Sequence, residues 1–480
     1  MLTTLTVDIA DPAANDPGDN LYAQIQEAVD AASEGDLIKV HAGIYNPIVI
    51  NTNNLTIREA RRSSNPVIDG DLNPGHENGV EVNANGVTVQ GLTVQDTSVG
   101  FTSRTGNGFF VTGDNNTFID NTSSDSAVFG FYLLGTENNT LVANTAIGNS
   151  VGFSLSNSSN NTLKGNTAGD NSSEGFRLVD SHSNTLKGNT ASDNYSGFSL
   201  IRSVNNSLNG NVANKNAFDG FLLGLGSDGG ALTRNTAQGN GSAGFHLDQS
   251  SNHTLKGNSA YDSGGDGFLF GLSDANLLKS NTASNNRRGF GFGTSDSNTL
   301  VSNSAINNSA TGFSFNGGHG NTLKRNTASN NRYGFIIANS EGNTLVGNSS
   351  SNNILNGFRF SGSDDNTINR NAASGNGSSG FQFTLSDGNM IRGNWAISNG
   401  EDGFQFNDSG DNTLLRNWAL FNQGNGFSLD DGSDHNALLK NTAILNAGYA
   451  VLVDAVMDNL FDDNFCLFNG LGGSNQPDVC

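Results

Sequence analysis

Ser159–Ala168 reads SNNTLKGNTA, and Ser183–Ala191 reads SNTLKGNTA. The phrase returns as NHTLKGNSA at Asn252–Ala260, NTLKRNTA at Asn321–Ala328 and NTLVGNSS at Asn343–Ser350. Aligned on Gly-Phe, the phenylalanines run from Phe109 through Phe153, Phe245 and Phe335 to Phe427 in steps of 22 to 24 residues. An asparagine column, Asn144 to Asn441, keeps the same steps. A fixed period of this size marks a solenoid, in which each unit buries its apolar side only against its neighbours.

Within a unit there is no helical period. Short alternating pieces (GFSL, NTLK, NTA) are separated by Gly, Ser, Asn and Asp, and read as strands of two to four residues between turns. Coiling stacks equivalent residues about 4.8 Å apart. Alternation then sends Phe153, Leu155, Leu163 and Ala168 inward, and Ser154, Thr162 and Lys164 outward. The Asn column becomes a ladder of amides along the axis. The expected fold is all-β, a single-stranded parallel β-helix.

Four segments follow: 1–35, with a capping helix on which Leu21, Ile25, Ala28, Val29 and Ala32 share one face before Gly35; irregular rungs at 36–107; regular rungs at 108–449; and a C-terminal cap at 450–480. Cys466 and Cys480 both fall in that last segment, where a bridge would contribute about 3 kcal/mol and point to an oxidising compartment.

Composition narrows the function classes. There are 45 acidic against 23 basic side chains, a net charge of −22, which argues against nucleic acid as partner. Charged residues are only 14% of the chain, while Gly numbers 62 and Phe 30, so this is a turn-rich folded chain and not a disordered polyanion. No apolar run approaches the roughly 18 residues of a membrane span. The start, MLTTLTVDIADPAANDPGDN, has neither a basic nor an apolar leader region, so either a signal peptide has been removed or the chain is cytosolic. Asn-X-Ser/Thr sequons inside the stacked repeat fit a prokaryotic chain.

The stretch IQEAVDAASEGDLIKVHAGIYNPIVINTNNLTIREA (Ile25–Ala60) followed by VIDG (Val67–Gly70) resembles the opening of pectin-lyase-like β-helix proteins. The GFxLxxSxxNTLxxNTAxxN rungs resemble the NosD-type and the carbohydrate-binding and sugar-hydrolase β-helices. The resemblance implies a right-handed coil. It leaves function open among lyases, hydrolases, uronate epimerases, adhesins and accessory proteins. The copper role of NosD-type proteins asks for His, Met or Cys ligands, and seven scattered His and three Met offer no cluster.

Two outward columns are candidate sites. Lys164, Lys187, Lys256, Lys279, Lys324 and Arg392 lie eleven residues after their Gly-Phe phenylalanine. Arg325, Arg370 and Arg416 lie one position later, and Arg234 and Lys440 two later. Such a stripe suits a linear polyanion; it equally keeps a wall solvated. The second column is Asp274, Asp296, His319, Glu341, Asp364, Asp387, Asp411 and Asp434, thickened by Asp365, Asp408, Asp430 and Asp431. Stacked carboxylates require water screening, a bridging cation such as Ca²⁺ (at Asp364, Asp387, Asp411 and Asp434), or protonation. Turn preference alone also explains Asp here.

Within this column Gly-His-Gly at Gly318–Gly320 and the pair Asp364-Asp365 resemble polygalacturonase motifs. His319, Asp296, Glu341, Asp364 and Asp365 are therefore catalytic candidates. The order departs from that family, however, and its Asn-Thr-Asp and Arg-Ile-Lys are missing, as is the Asp-Pro-His of alginate epimerases. Trp395 and Trp418, at one offset in successive rungs, are candidates for stacking on sugar rings.

The expected protein is a secreted or cell-surface monomer that binds a polysaccharide, a uronate-bearing one. It would process that glycan as a lyase, hydrolase or C5-epimerase; the alternative is a structural or adhesive rod.

Overall fold

The computed structural model describes residues 2–14, 19–62, 64–72, 78–98, 105–430, 432–454, 458–477 and 479–480. Two compact units divide the chain, Met1–Gly241 and Ser242–Cys480. Each is a coil of short parallel strands forming three sheets, here A, B and C.

One turn of the N-terminal unit shows the construction. Val151–Ser156 lies in sheet C, Thr162–Lys164 in A and Thr167–Gly169 in B, and Glu174–Val179 begins the next turn in C. Register superimposes like on like: Phe153 faces Phe176, Leu163 faces Leu186 and Ala168 faces Ala191. In the C-terminal unit Phe313 faces Phe335 and Leu323 faces Leu345 in the same way.

The Gly-Phe rings form one internal file in each unit. Phe131, Phe153 and Phe176 stack at 4.8 and 4.9 Å, and Phe290, Phe313 and Phe335 at 4.7 and 4.8 Å. Those separations are the spacing of adjacent parallel strands, so the backbone sets the ring distance. The preceding glycine is dictated by the same crowding. A Cβ on Gly152 would lie 2.6 Å from the Gly175 carbonyl oxygen and 2.9 Å from the Ala168 methyl.

Corners use single left-handed residues, φ 51° at Asn157, 58° at Asn160, 65° at Gly165 and 52° at Asp170, which suits Asn, Asp and Gly. Corner N–H groups leave the strand ladders and are met by side chains. Asn166 donates its backbone N–H and its Nδ2 to Asn189 Oδ1 at 2.9 and 3.0 Å, and Nδ2 also to the Leu141 carbonyl at 3.0 Å. Two further buried Asn ladders, through Asn161–Asn184 and Asn171–Asn194, and a serine ladder, through Ser158–Ser181, do the same at other corners.

Two local expectations change. Ser154, expected outward, is buried: register places it between the longer Tyr132 and Arg177. The N-terminal helix is Ile25–Ala31, burying Ile25, Ala28 and Val29, whereas Leu21 belongs to a strand paired with Thr4–Val7. Residues 450–480 contain further strands in register, Phe465 facing Thr442 and Leu460 facing Ala437. Cys466 and Cys480 form a disulfide there.

Candidate functional site

The acidic column occupies the corner between sheets C and A, and hydrogen bonding shows what its side chains do. Asp274 Oδ1 accepts the Asp296 N–H at 2.7 Å, and Asp296 Oδ1 accepts the His319 N–H at 2.7 Å. His319 Nδ1 accepts the Glu341 N–H at 3.1 Å. Asp364 and Asp387 accept from Asp387 and Gly410 at 2.8 and 2.7 Å. Serine serves equally well, since Ser251 Oγ accepts the Asp274 N–H at 2.9 Å. What repeats at this corner is an acceptor for the next turn's N–H, and not an acid.

Register also corrects the column. Gly410, not Asp411, follows Asp387; Asp411 and Asp365 are left-handed corner residues, φ 55° each, one position further on. Asp364, Asp387, Asp411 and Asp434 therefore do not converge on a point for Ca²⁺. Among the described residues no three His, Cys, Asp or Glu side chains come together to hold a metal ion. Asp431 lies outside the described residues.

The basic residues resolve into two adjacent rows along the outer edge of sheet A. In the N-terminal unit Lys164 faces Lys187 at the strand ends, and Arg234 takes a corner. In the C-terminal unit Lys256 faces Lys279, and Lys324 and Arg392 occupy the same strand position. Arg325, Arg370, Arg416 and Lys440 occupy the left-handed corner position beside it, φ 54–57°, so the two sequence offsets describe one row. All are exposed. Of these basic residues only Lys440 forms an ion pair with a described residue, Asp463 at 3.9 Å.

The outward face of sheet C in the C-terminal unit holds a cluster that the repeat columns do not reveal. Arg359, Gln382, Gln405 and Ser428 succeed one another in register. Gln405 Oε1 accepts from Gln382 Nε2 at 3.2 Å and from Ser379 Oγ at 3.1 Å, and Gln405 Nε2 donates to Asp430 Oδ2 at 3.4 Å. Ser379 Oγ also reaches Glu401 Oε2 at 3.4 Å, and Ser428 Oγ donates to Asp430 Oδ1 at 2.9 Å. Asp402 is half-buried beside them and accepts the Asn425 N–H at 2.5 Å. Burial, reinforced by the charges of Asp430 and Glu401, pushes its carboxyl up to about 6, although the Asn425 N–H pulls the other way. Arg359 Nε is buried without a partner, and its guanidinium lies 6.0 Å from the Tyr333 ring centre.

Three carboxyls, a guanidinium and two amides on one outward face can bind a hydroxyl-rich anion. A carboxyl titrating near neutral pH can exchange a proton with it.

Trp395 and Trp418 stack on the outward face of sheet B, with centroids 4.9 Å apart and rings 5° from parallel. Trp418 covers one face of Trp395; register puts the small Ala372 on the other side, and Trp395 is 40% exposed.

These features define a parallel β-helix, and residues 318–466 match the right handed beta helix region. Residues 29–236 and 219–356, more than half the chain, match the family described as periplasmic copper-binding protein (NosD), and the chain belongs to that family. No curated protein matches it. Among solved structures it is similar to the A-module of the Azotobacter vinelandii mannuronan C-5 epimerase AlgE6, at 15% identity over 95% of each chain with a TM-score of 0.29. It is similar to pectate lyase Pel9A, at 15% identity over 81% of this chain and 76% of that one, TM-score 0.29. It is also similar to the GH136 lacto-N-biosidase of Eubacterium ramulus, at 12% identity over 68% and 64%, TM-score 0.36.

Among the described residues the donors do not fit copper, since no three of them come together. The two cysteines are bonded to each other, and His182 and His319 spend Nδ1 on backbone N–H groups.

Proposed function

We propose that the protein binds an acidic polysaccharide across the outer face of sheet C in the C-terminal unit and acts on it there by proton transfer. The observation that carries this reading is the hydrogen-bonded group of Gln382, Ser379, Gln405, Glu401 and Asp430 beside Asp402, with Arg359 next to Gln382 in register. Arg359 supplies the positive charge beside which a uronate carboxylate would sit, and that pairing acidifies the adjacent ring C–H. Asp402, poised near neutrality, accepts or returns the proton, and the two glutamines hold hydroxyls. Lyase and epimerase chemistry both begin from this proton abstraction, whereas hydrolysis would use the protonated Asp402 carboxyl as the acid on the glycosidic oxygen.

Lys256, Lys279, Lys324, Arg325, Arg370, Arg392 and Arg416 offer a second, chain-tracking surface, and the open face of Trp395 a place for a sugar ring to stack. The Cys466–Cys480 disulfide and the periplasmic description of the family support a location outside the cytoplasm.

A structural rod is the second reading, favoured by one observation. Every crossing from sheet A to sheet B in the C-terminal unit is two residues long, with no inserted loop. Incubation with an array of acidic and neutral glycans, with and without EDTA, while following unsaturated uronates by ultraviolet absorbance, separates the two. Binding or turnover of an acidic glycan that Asp402→Asn abolishes at the turnover step supports the enzyme. If no glycan is bound or changed, the rod reading stands.

A further inference from the structure

In the N-terminal unit most crossings from sheet A to sheet B take two residues, as at 91–92 and 165–166, but residues 60–66 separate Thr56–Glu59 from Val67–Asp69. Beside this longer crossing is a cavity of about 360 Å³ lined by Arg58, Glu59, Arg62, Gln90 and Asp120. Its volume falls at the small end of ligand sites, which run from roughly 300 to 1,000 Å³.

The lining is fixed in an informative way. Glu59 Oε2 accepts the Ser64 N–H at 3.2 Å, leaving Oε1 to the cavity. Its side chain lies over Gly91, where φ is +72° and a Cβ would come within 2.8 Å of the Glu59 Cδ. Arg58 lies opposite Gln90 in register. Neither Arg58 nor Arg62 has a hydrogen-bond or ion-pair partner among the described residues, although two carboxylates share the cavity with them.

Two uncommitted guanidiniums call for one planar anion. Two carboxylates and an amide in the same space call for hydroxyl donors, and they repel a compact dianion. One ligand class answers both demands.

We propose that this cavity binds a single uronate residue, with its carboxylate between Arg58 and Arg62 and its hydroxyls donating to Glu59 and Asp120. It would be a subsite apart from the sheet C cluster: it shares that cluster's ligand class but none of its residues.

Isothermal titration of the full chain with galacturonate, glucuronate and mannuronate, against galactose and inorganic phosphate, tests the assignment. At least one uronate should bind tenfold or more tightly than galactose. Arg58→Gln and Arg62→Ala should each weaken it tenfold or more. Arg62 is exposed on the crossing, so its variant keeps the test open should Arg58→Gln fold poorly. The proposal is overturned if no uronate binds, if phosphate binds more tightly than every uronate, or if both arginine variants keep wild-type affinity. Loss of uronate affinity in Arg359→Gln alone would move the site to sheet C and overturn it equally.

Discussion

Asp296 Oδ1 accepts the backbone N–H of His319 at 2.7 Å, and His319 Nδ1 accepts that of Glu341 at 3.1 Å. A histidine whose Nδ1 is an acceptor for the next turn acts as a rung of the corner ladder. Ser251 fills the same role through Oγ. The Gly-His-Gly that resembles a catalytic motif is thereby accounted for by the coil.

His319→Ala should leave any glycan turnover within about twofold of wild type and lower stability by about 0.5–1.5 kcal/mol, the net value of one hydrogen bond. His319→Asp, which restores an acceptor, should recover most of that loss. Denaturant melts and initial rates on the same preparations check both. A hundredfold fall in rate with unchanged stability would return His319 to the chemistry.

The basic rows make a different prediction. Lys279 lies in register between Lys256 and Val301, so one like charge faces it directly. Lys279→Glu converts repulsion into a cross-strand ion pair and should raise stability by about 0.2–1 kcal/mol at low salt. The gain should fade by 1 M salt, where the screening length is about 3 Å. Reversing Lys256, Lys279 and Lys324 together should abolish polyanion binding without lowering the melting temperature. Binding retained in that triple variant would reduce the rows to a solubility device.

The asparagine ladder predicts a large penalty for a one-atom change. Asn326 accepts from the Asn303 N–H and Nδ2 at 2.8 and 3.0 Å and donates to the Leu300 carbonyl and Asn348 Oδ1 at 3.0 Å each. Asn326→Asp keeps both acceptances but turns both donations into oxygen–oxygen contacts and buries a charge. Burial and these contacts raise the folded-state pKa above the unfolded value. The protonated form therefore folds best, and stability falls as pH rises. The loss should reach about 3 kcal/mol or more at pH 8 and be smaller at pH 4, as urea melts at the two values would show. Equal losses at both would mean that the ladder relaxes around the charge.

The coil was legible because its rules recur. Phe153, Leu163 and Asn166 repeat at one period, and superposition follows from the period itself. The sheet C cluster was not legible for the opposite reason. The column before Gly-Phe runs Tyr333, Asn356, Ser379, Asp402 and Asn425, and the column after Phe runs Ile336, Arg359, Gln382, Gln405 and Ser428. Aligning recurrent letters draws the eye to the acidic corner, where recurrence reflects backbone acceptors, and away from positions where every turn differs. Free variation at an outward position was the available signal. The crossing at 60–66 could have been found in the same way, as a departure from two-residue spacing.

Asp402 gives the prediction that joins stability to chemistry. Its carboxyl is raised from an ordinary value near 3.8 to about 6, mainly by burial. A raised carboxyl favours folding in its protonated form, so its contribution is present in full below pH 4 and is lost as pH climbs through 6. The shift of about two units corresponds to at most about 3 kcal/mol. Asp402→Asn keeps an oxygen for the Asn425 N–H and removes the charge facing Asp430 and Glu401. It should melt several degrees above wild type at pH 8 and show no gain at pH 4. The same variant should lose glycan turnover while retaining binding, because a group held at a cost to the fold is what a proton-transfer site requires. Calorimetry across pH 4–8, paired with turnover on the best-bound acidic glycan, measures both. A variant stabilised at pH 8 yet fully active would leave Asp402 as a buried charge without a role in catalysis. A variant with no pH-dependent gain would show that its carboxyl titrates normally.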